Sequence, residues 1–308
     1  MSIGVMWKRI MTVAGAVTVF LAGTQAVAGA APATQPQGRI LFIRTVDSPH
    51  GSGEVQSVLP DGSALAGLNL TVTWGSSPDY SPDGRRIAFV TQGPDDLMAS
   101  VYTAAADGTG AQRLTQAPCG PGHPRWSPDG TSIGFETCGD IYKTDLNGHS
   151  TPITGSAGGA NLSFSWGPQG KRIATVSTVA PGVRLWRADG SANRQVGNLP
   201  GPWDVDWNPR NGKLAVSSGD DLWLVDVVTG AQQRLTDTPD VAEGSVVWSP
   251  DGRWLAYSES QVHEVTDPDT GDTYRELTDP QIYLVDAAGG QRHAVGVPGI
   301  PTSWRAQA

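Results

Sequence analysis

Five times in the sequence, an aromatic residue and an aliphatic residue stand seven positions apart, with a proline-containing turn between them. The five copies run from Tyr80 to Ile87, Trp126 to Ile133, Trp166 to Ile173, Trp207 to Leu214 and Trp248 to Leu255. A sixth aromatic, Trp304, stands near the end of the chain with no turn after it. Successive aromatics lie 46, 40, 41, 41 and 56 residues apart, a period typical of propeller blades with four strands rather than of helical repeats.

The turn in each copy has the composition of a tight β-hairpin. Proline presets φ for the first corner, the aspartate side chain accepts local backbone hydrogen bonds, and glycine takes the left-handed conformation that closes the hairpin. Asn211 replaces this glycine in the fourth turn along the chain, and we expect it to adopt a positive φ in its place. Short runs with alternating apolar and polar residues follow each turn, which indicates strands.

The first part of the chain lacks one strand that the last part supplies. Residues 39–68 read as the second, third and fourth strands of a blade, and the segment from Ile300 to Trp304 matches the first strand of the other copies. We therefore predict an all-β fold, a six-bladed β-propeller of four-stranded blades, in which Ile300 to Trp304 joins the N-terminal blade. Closure of the ring pairs sheet edges that would otherwise promote aggregation.

The N-terminal segment has the pattern of a secretory signal peptide. Lys8 and Arg9 precede an apolar run over residues 10–22, and small residues follow at 26–28, as a cleavage site requires. A retained membrane anchor is the alternative, although the run is shorter than the roughly 20 residues that span a bilayer. We predict cleavage after residue 28, no membrane insertion of the mature chain, and a secreted, periplasmic or cell-envelope location.

The rest of the chain reads as one domain. No linker or low-complexity tract interrupts it, and all-β propellers of this size form single domains. We assign residues 1–28 to the signal peptide, 29–38 to a disordered mature N-terminus, and 39–308 to the six-bladed propeller. We expect a monomer.

Charge excludes one class of partner. The net charge is −9, and loss of both basic residues of the signal leaves 19 basic against 30 acidic residues, or −11. Such a surface repels nucleic acid and anionic lipid, so we expect no nucleic-acid partner.

The two cysteines are predicted to form a disulfide. Cys119 precedes the first strand of one repeat, and Cys138 ends the second strand of the same repeat. Counting outward from the hairpin turn places position 138 opposite about position 120, so both residues lie on the same side of the blade. In an exported protein, two cysteines so placed pair readily, and the bond would contribute about 3 kcal/mol in the chain-entropy model. A metal site is the alternative.

From residue 39 to about residue 304, these repeats resemble the TolB-like, WD40-like propeller repeat. Its unit reads Trp-Ser-Pro-Asp-Gly, then Ile-Ala-Phe, and later Ile-Tyr with a trailing Asp-Gly. The resemblance implies the propeller fold but no single function, because such blades occur in the cell-envelope protein TolB, in the gating propellers of prolyl oligopeptidase-like enzymes and in many exported proteins. TolB carries an extra α/β domain ahead of its propeller, and we expect none here.

Loop lengths distinguish the two faces of the predicted disc. The turns between first and second strands, and between third and fourth strands, are short and nearly uniform. The loops between second and third strands vary, and the longest is an insertion from Glu259 to Pro280. Length variation on one side of a repeat protein indicates its binding face.

Polar residues just before the repeated aromatics are predicted to face the central channel and its mouth. The candidate ligand-binding residues are Asp79, His123, Arg125, Trp203, Asp204 and Asp206. Their opposite charges could hold an ion or the end of a peptide. The alternative is a solvated lining of salt bridges.

We expect no metal or cofactor, except that calcium binding stays possible. Asp267, Asp269 and Asp272 place carboxylates around a turn, which makes them weak candidates for calcium. The sequence departs from the EF-hand pattern, and a plain hairpin between residues 263–265 and 273–275 explains it equally well. The five histidines show no metal-ligand spacing.

Two functions fit these observations. The first is a non-enzymatic binding scaffold that engages a protein or peptide in the cell envelope or outside the cell, through the face with the long loops. The second is an exported polysaccharide lyase or hydrolase with a site at the channel mouth, for which His123, Asp204 and Asp206 are the candidates. We favour the scaffold, because the sequence contains no catalytic set.

Overall fold

The computed structural model describes residues 36–45, 52–73, 75–94, 96–117, 119–155, 161–177, 182–266 and 272–306. These residues form strands and turns, with no helix among them. No helix that could span a membrane occurs in this part of the chain. The predicted signal peptide, residues 1–28, lies outside it, whereas the last three residues of the predicted disordered segment, 36–38, belong to it.

Twenty-four strands form six antiparallel sheets of four strands, as the repeats predict. Blade I contains β1 (Arg39–Thr45), β2 (Gly53–Val58), β3 (Ala66–Val72) and, as its innermost strand, β24 (Ile300–Arg305). Blade II contains β4 (Asp79–Tyr80), β5 (Arg86–Thr91), β6 (Ser100–Ala105) and β7 (Gln112–Gln116). Blade III contains β8 (Gly122–Trp126), β9 (Ser132–Thr137), β10 (Asp140–Asp145) and β11 (Ser150–Pro152).

The remaining blades repeat this order. Blade IV contains β12 (Asn161–Trp166), β13 (Arg172–Ser177), β14 (Val183–Arg187) and β15 (Asn193–Val196). Blade V contains β16 (Pro202–Trp207), β17 (Lys213–Ser218), β18 (Asp221–Asp226) and β19 (Gln232–Arg234). Blade VI contains β20 (Val241–Trp248), β21 (Trp254–Thr266), β22 (Thr273–Asp286) and β23 (Arg292–Pro298). Each blade is a meander, so its first and third turns lie on one side of the disc, here the hairpin face. Its second turn and its link to the next blade lie on the other side, the long-loop face.

The C-terminal strand closes the ring, as predicted. Strand β24 pairs antiparallel with β1, with Trp304 opposite Ile40 and Ile300 opposite Ile43. The indole of Trp304 donates a hydrogen bond of 3.0 Å to the carbonyl of Gln37. The first and last segments of the propeller therefore share one sheet.

Hydrophobic packing occurs between blades rather than within them. Six clusters of buried residues each join one blade to the next, including the cluster that joins blade VI to blade I. The repeated aromatic of each blade packs against the preceding blade. These six side chains are at most 8% exposed: Tyr80, Trp126, Trp166, Trp207, Trp248 and Trp304. At about 150–250 Å² each and about 25 cal/mol per Å², each contributes roughly 4–6 kcal/mol of gross transfer free energy, an upper bound.

The repeated turns form the expected hairpins, with one exception. In the first copy, the Gly84 N–H donates to the Ser81 carbonyl at 2.8 Å, the Ser81 hydroxyl donates to Asp83 at 2.6 Å, and Gly84 has a φ of 69°. Asn211 does not adopt a positive φ, so that prediction was wrong. Its side chain instead accepts a hydrogen bond of 2.9 Å from the Lys213 N–H, which satisfies the turn without a left-handed residue.

The insertion from Glu259 to Pro280 is a β-hairpin rather than an irregular loop. Strands β21 and β22 pair out to Thr266 and Thr273, with a register shift between Glu259 and Gln261. Residues 261–278 extend this hairpin as an arm from the long-loop face. Residues 263–265 therefore pair with the strand that contains residues 273–275, as the hairpin alternative requires. The tip with the calcium candidates Asp267 and Asp269 lies outside the described residues.

A disulfide joins Cys119 and Cys138, as predicted, with their Cα atoms 5.3 Å apart. It links the segment before β8 to the turn after β9. The bond therefore fixes the start of the innermost strand of blade III.

Ring closure can be tested by removing the Trp304 side chain. Because Trp304 is 1% exposed, Trp304→Ala should lower the free energy of unfolding by about 3–5 kcal/mol, measured by urea denaturation. Leu97→Ala removes a side chain that is 94% exposed and should change it by less than about 0.5 kcal/mol. Equal effects of the two substitutions would contradict a closed ring.

Candidate functional site

The residue before each repeated aromatic faces the central channel. In the order of blades I to VI these residues are Ser303, Asp79, Arg125, Ser165, Asp206 and Val247. All six line one cavity of about 300 Å³ on the hairpin face. They meet there because they occupy the same position of six equivalent innermost strands.

Asp79 links three neighbouring blades. Its Oδ2 accepts the backbone N–H of Trp126 at 2.8 Å, and its Oδ1 accepts the hydroxyl of Ser303 at 2.6 Å. The Ser303 oxygen in turn accepts the N–H of Tyr80 at 3.2 Å. The carboxylate is 2% exposed, so its hydrogen bonds hold the channel wall together.

Asp206 repeats this arrangement on the other side of the channel. It accepts the N–H of Trp248 at 2.8 Å and the hydroxyl of Ser165 at 2.8 Å, and the Ser165 oxygen accepts the N–H of Trp207 at 2.9 Å. Desolvation raises the pKa of Asp206, and nearby Arg125 partly opposes this rise. Two serine–aspartate pairs thus connect blades I to III and blades IV to VI.

The side chains of Arg125 and Val247 have no hydrogen-bond acceptor. At these two positions, therefore, no side chain accepts a backbone N–H of the neighbouring blade. The Arg125 side chain is 8% exposed and reaches across the channel, where Nη1 donates to the Thr302 carbonyl at 2.5 Å. Its Nε has no hydrogen-bond partner among the described residues, and the same holds for the Nε of Arg305. Arg305 Nη2 lies 3.7 Å from Asp79 Oδ1.

The walls of this cavity are otherwise largely apolar. One proline from each of the five hairpins lines it: Pro82, Pro128, Pro168, Pro209 and Pro250. Five of the six repeated aromatics, the tryptophans, also line it. The site therefore combines an apolar wall with a few convergent charges, the usual composition of a ligand pocket.

The other predicted channel residues lie closer to the long-loop face. Asp204 precedes Asp206 on β16 and accepts the Ser163 hydroxyl at 2.6 Å. The Trp203 ring covers Gly244, where a Cβ would overlap it. The structure thus divides the predicted group, with Asp79, Arg125 and Asp206 in the cavity and the others deeper in the channel. As ligand-binding residues, all six stay a prediction.

His123 has an unusual environment in the channel. Its φ is 47°, and its Nδ1 has no hydrogen-bond partner in the described part of the chain. The pKa of His123 is lowered to about 4, mainly by desolvation; the Asp204 carboxylate opposes this shift and Arg125 adds to it. The imidazole is therefore neutral at pH 7. His123 thus forms no salt bridge of the kind that the alternative interpretation of the channel lining requires.

Several residues of the cavity were missed by the sequence analysis. Ser165 and Ser303 occupy the position of Asp79 and Asp206, and alignment of the six copies at that position would have identified them. Arg305 follows the sixth aromatic, where the other copies have serine, glycine or asparagine. The absence of a turn after Trp304 concealed this difference.

Among the described residues, the structure adds no metal-binding candidates to those named from the sequence. Over the described ranges, no three His, Cys, Asp or Glu side chains are grouped to hold a metal ion. Asp272 lies beside the start of β22, and its two partner candidates lie outside those ranges. Calcium binding stays a prediction.

Comparison with known proteins identifies the fold. No family model and no curated protein matches the sequence. Among solved structures, TolB from Acinetobacter baumannii has a TM-score of 0.64 at 18% identity, over 88% of this chain and 67% of that one. A chain of a nidogen/laminin complex has a TM-score of 0.63 at 10% identity, over 87% and 98%. Oligogalacturonate lyase from Vibrio parahaemolyticus has a TM-score of 0.51 at 12% identity, over 84% and 86%. These structures share the propeller fold.

The environment of His123 can be tested by titration. Its pKa of about 4 lies below the value of about 6.5 in an unfolded chain. Between these values the unfolded chain binds a proton that the folded chain does not, so stability should fall as pH decreases through this window. NMR of the ring should give a midpoint near 4, and His123→Gln should remove that part of the pH dependence of unfolding. A midpoint near 6.5 would contradict the assignment.

Proposed function

We propose that this protein is a non-enzymatic binding scaffold outside the cytoplasm, which engages a protein or peptide partner through its long-loop face. The observation that carries the proposal is the arm, residues 261–278. Strands β21 and β22 contain 13 and 14 residues, whereas their counterparts in blade V contain six each. A projection of this kind on one face serves no need of the blade itself.

The arm contacts blade V and carries exposed apolar side chains. Arg275 forms an ion pair of 2.9 Å with Asp220 in the turn of blade V, which orients the arm over that blade. Tyr274 and Leu277 are 52% and 53% exposed. Exposed apolar side chains on a projecting element indicate a surface that contacts another molecule.

A second apolar pair stands on the same face. Leu97 and Met98, in the loop between β5 and β6, are 94% and 47% exposed. Four of the seven large exposed hydrophobic side chains of the described residues thus belong to second-to-third strand connections. This concentration supports the long-loop face as the binding face.

The location rests on two features. The Cys119–Cys138 disulfide persists in oxidising compartments, and residues 1–28 read as an export signal. Both support a partner in the cell envelope or outside the cell.

The arm can be removed without loss of the blade, which tests the proposal. Gln261 and Thr278 are paired across the hairpin, so an Asn-Gly turn can replace residues 262–277. In a crosslinking capture experiment with the mature protein, the wild type should retain its partner and the shortened variant should lose it. Val228→Ser changes a side chain that is 79% exposed on the hairpin face and should leave capture unchanged. Equal capture by the shortened variant would reject the arm as the contact.

The enzymatic alternative gives a different measurement. A lyase or hydrolase that used His123, Asp204 and Asp206 with a metal would retain the ion through purification without chelator. Elemental analysis should find less than stoichiometric transition metal if the scaffold proposal holds. A stoichiometric metal that is lost in His123→Gln would favour the enzyme.

A further inference from the structure

The cavity on the hairpin face is cationic in an acidic protein. The chain as a whole has a net charge of −9, yet the cavity is lined by Arg125, Arg210 and Arg305 against Asp79 and Asp206. With every group ionised, the lining has an excess of one positive charge.

Both carboxylates of the cavity accept hydrogen bonds from the wall. The guanidinium groups are only partly used: Arg125 Nη1 donates to the Thr302 carbonyl and Arg305 Nη2 lies 3.7 Å from Asp79. Asp79 and Asp206 each accept a backbone N–H and a serine hydroxyl. Arg125 and Arg305 each keep an Nε–H without a partner in the described structure, and Arg125 is 8% exposed. A buried charged donor without an acceptor is costly, so the geometry favours an anion that supplies one.

The size and the walls of the cavity limit the anion. A volume of about 300 Å³ exceeds that of a small inorganic ion, and rings of proline and tryptophan surround the arginines. A planar carboxylate matches the edge of a guanidinium group, with which it forms two parallel hydrogen bonds. An apolar body attached to it would occupy the space between the aromatic walls.

We propose that this cavity binds a carboxylate attached to an apolar body, with Arg125 and Arg305 as the groups that bind the carboxylate. Such a carboxylate comes either from a small organic acid or from the C-terminus of a peptide that ends in an apolar residue. The site lies on the opposite face from the arm and is independent of the function proposed above.

The binding test uses the intrinsic fluorescence of the tryptophans that line the cavity. The probes are hydrocinnamate and its neutral amide, together with an N-acetylated Gly-Gly-Phe peptide as the free acid and as the amide. Both acids should change the fluorescence saturably, and each amide should bind at least about tenfold more weakly. Tighter binding of hydrocinnamate indicates a small acid, and tighter binding of the peptide acid indicates a peptide terminus.

Two variants assign the site. Arg125→Met and Arg305→Gln should each weaken binding of the acid probes at least about tenfold. Arg85→Gln makes the same change of charge at an exposed residue of the same face and should bind as the wild type does. Circular dichroism checks that Arg125→Met folds, and the more exposed Arg305 gives the decision if it does not.

Three results would overturn the proposal. They are binding of the amides as tight as that of the acids, binding of sulfate as tight as that of the acids, and unchanged binding in Arg305→Gln. The variant without the arm should bind the acid probes normally, so a failure of the scaffold proposal and a failure of this one are distinguishable.

Discussion

The backbone hydrogen bonds between β24 and β1 are the constraint on which the rest of the structure depends. Each blade buries its apolar face against the next, and none has a core of its own. An open ring would expose the interface between blades VI and I, together with two unpaired sheet edges. The closing strand comes from the opposite end of the chain, so its pairing joins residues near both ends of the described sequence. The contact is therefore the least local one in the molecule.

Closure also determines the chemistry of the channel. It places Ser303 beside Asp79 and Thr302 within reach of Arg125, so Ser303 itself and these bonds of Asp79 and Arg125 depend on the C-terminal strand. The serine–aspartate pairs satisfy backbone N–H groups of the innermost strands, which have a neighbouring strand on one side only. Where the repeat departs from these acceptors, at Arg125 and Val247, the wall loses an inter-blade bond. Arg125 instead donates from Nη1 to the Thr302 carbonyl of blade I, and its Nε–H has no partner among the described residues.

The fold could be predicted from the sequence because its determinants are local and repeated. An aromatic, a tight turn and an aliphatic strand at one period specify a blade, and the unpaired strand at each end specifies closure. The disulfide followed from counting along one hairpin. Asn211 was mispredicted because its side chain offers a second way to satisfy a turn, and a propensity for positive φ does not distinguish the two.

The candidate site was predicted only in part, because its residues meet through the symmetry of the ring. The polar residues before the repeated aromatics included Asp79, Arg125 and Asp206, which line the cavity. Their polarity did not show how deep in the channel each residue lies, because depth depends on the position along the strand and not on the residue type. Serine at the same position was overlooked, since a hydroxyl becomes informative only when its acceptor on the next blade is known. Comparison of equivalent positions around the ring recovers information that polarity along one strand does not contain.

The two faces of the disc differ because their connections differ in how far their lengths can vary. On the hairpin face, the turns between first and second strands have equal lengths, so the prolines and tryptophans form a regular wall and the cavity varies through single side chains. The long-loop face has connections that can lengthen without disturbing the sheets, and blade VI uses this freedom for the arm. A small charged ligand is best recognised by fixed donors in a rigid wall, whereas a macromolecule needs a projecting surface. One propeller can therefore present both kinds of site without conflict, since neither alters the interfaces that hold the blades together.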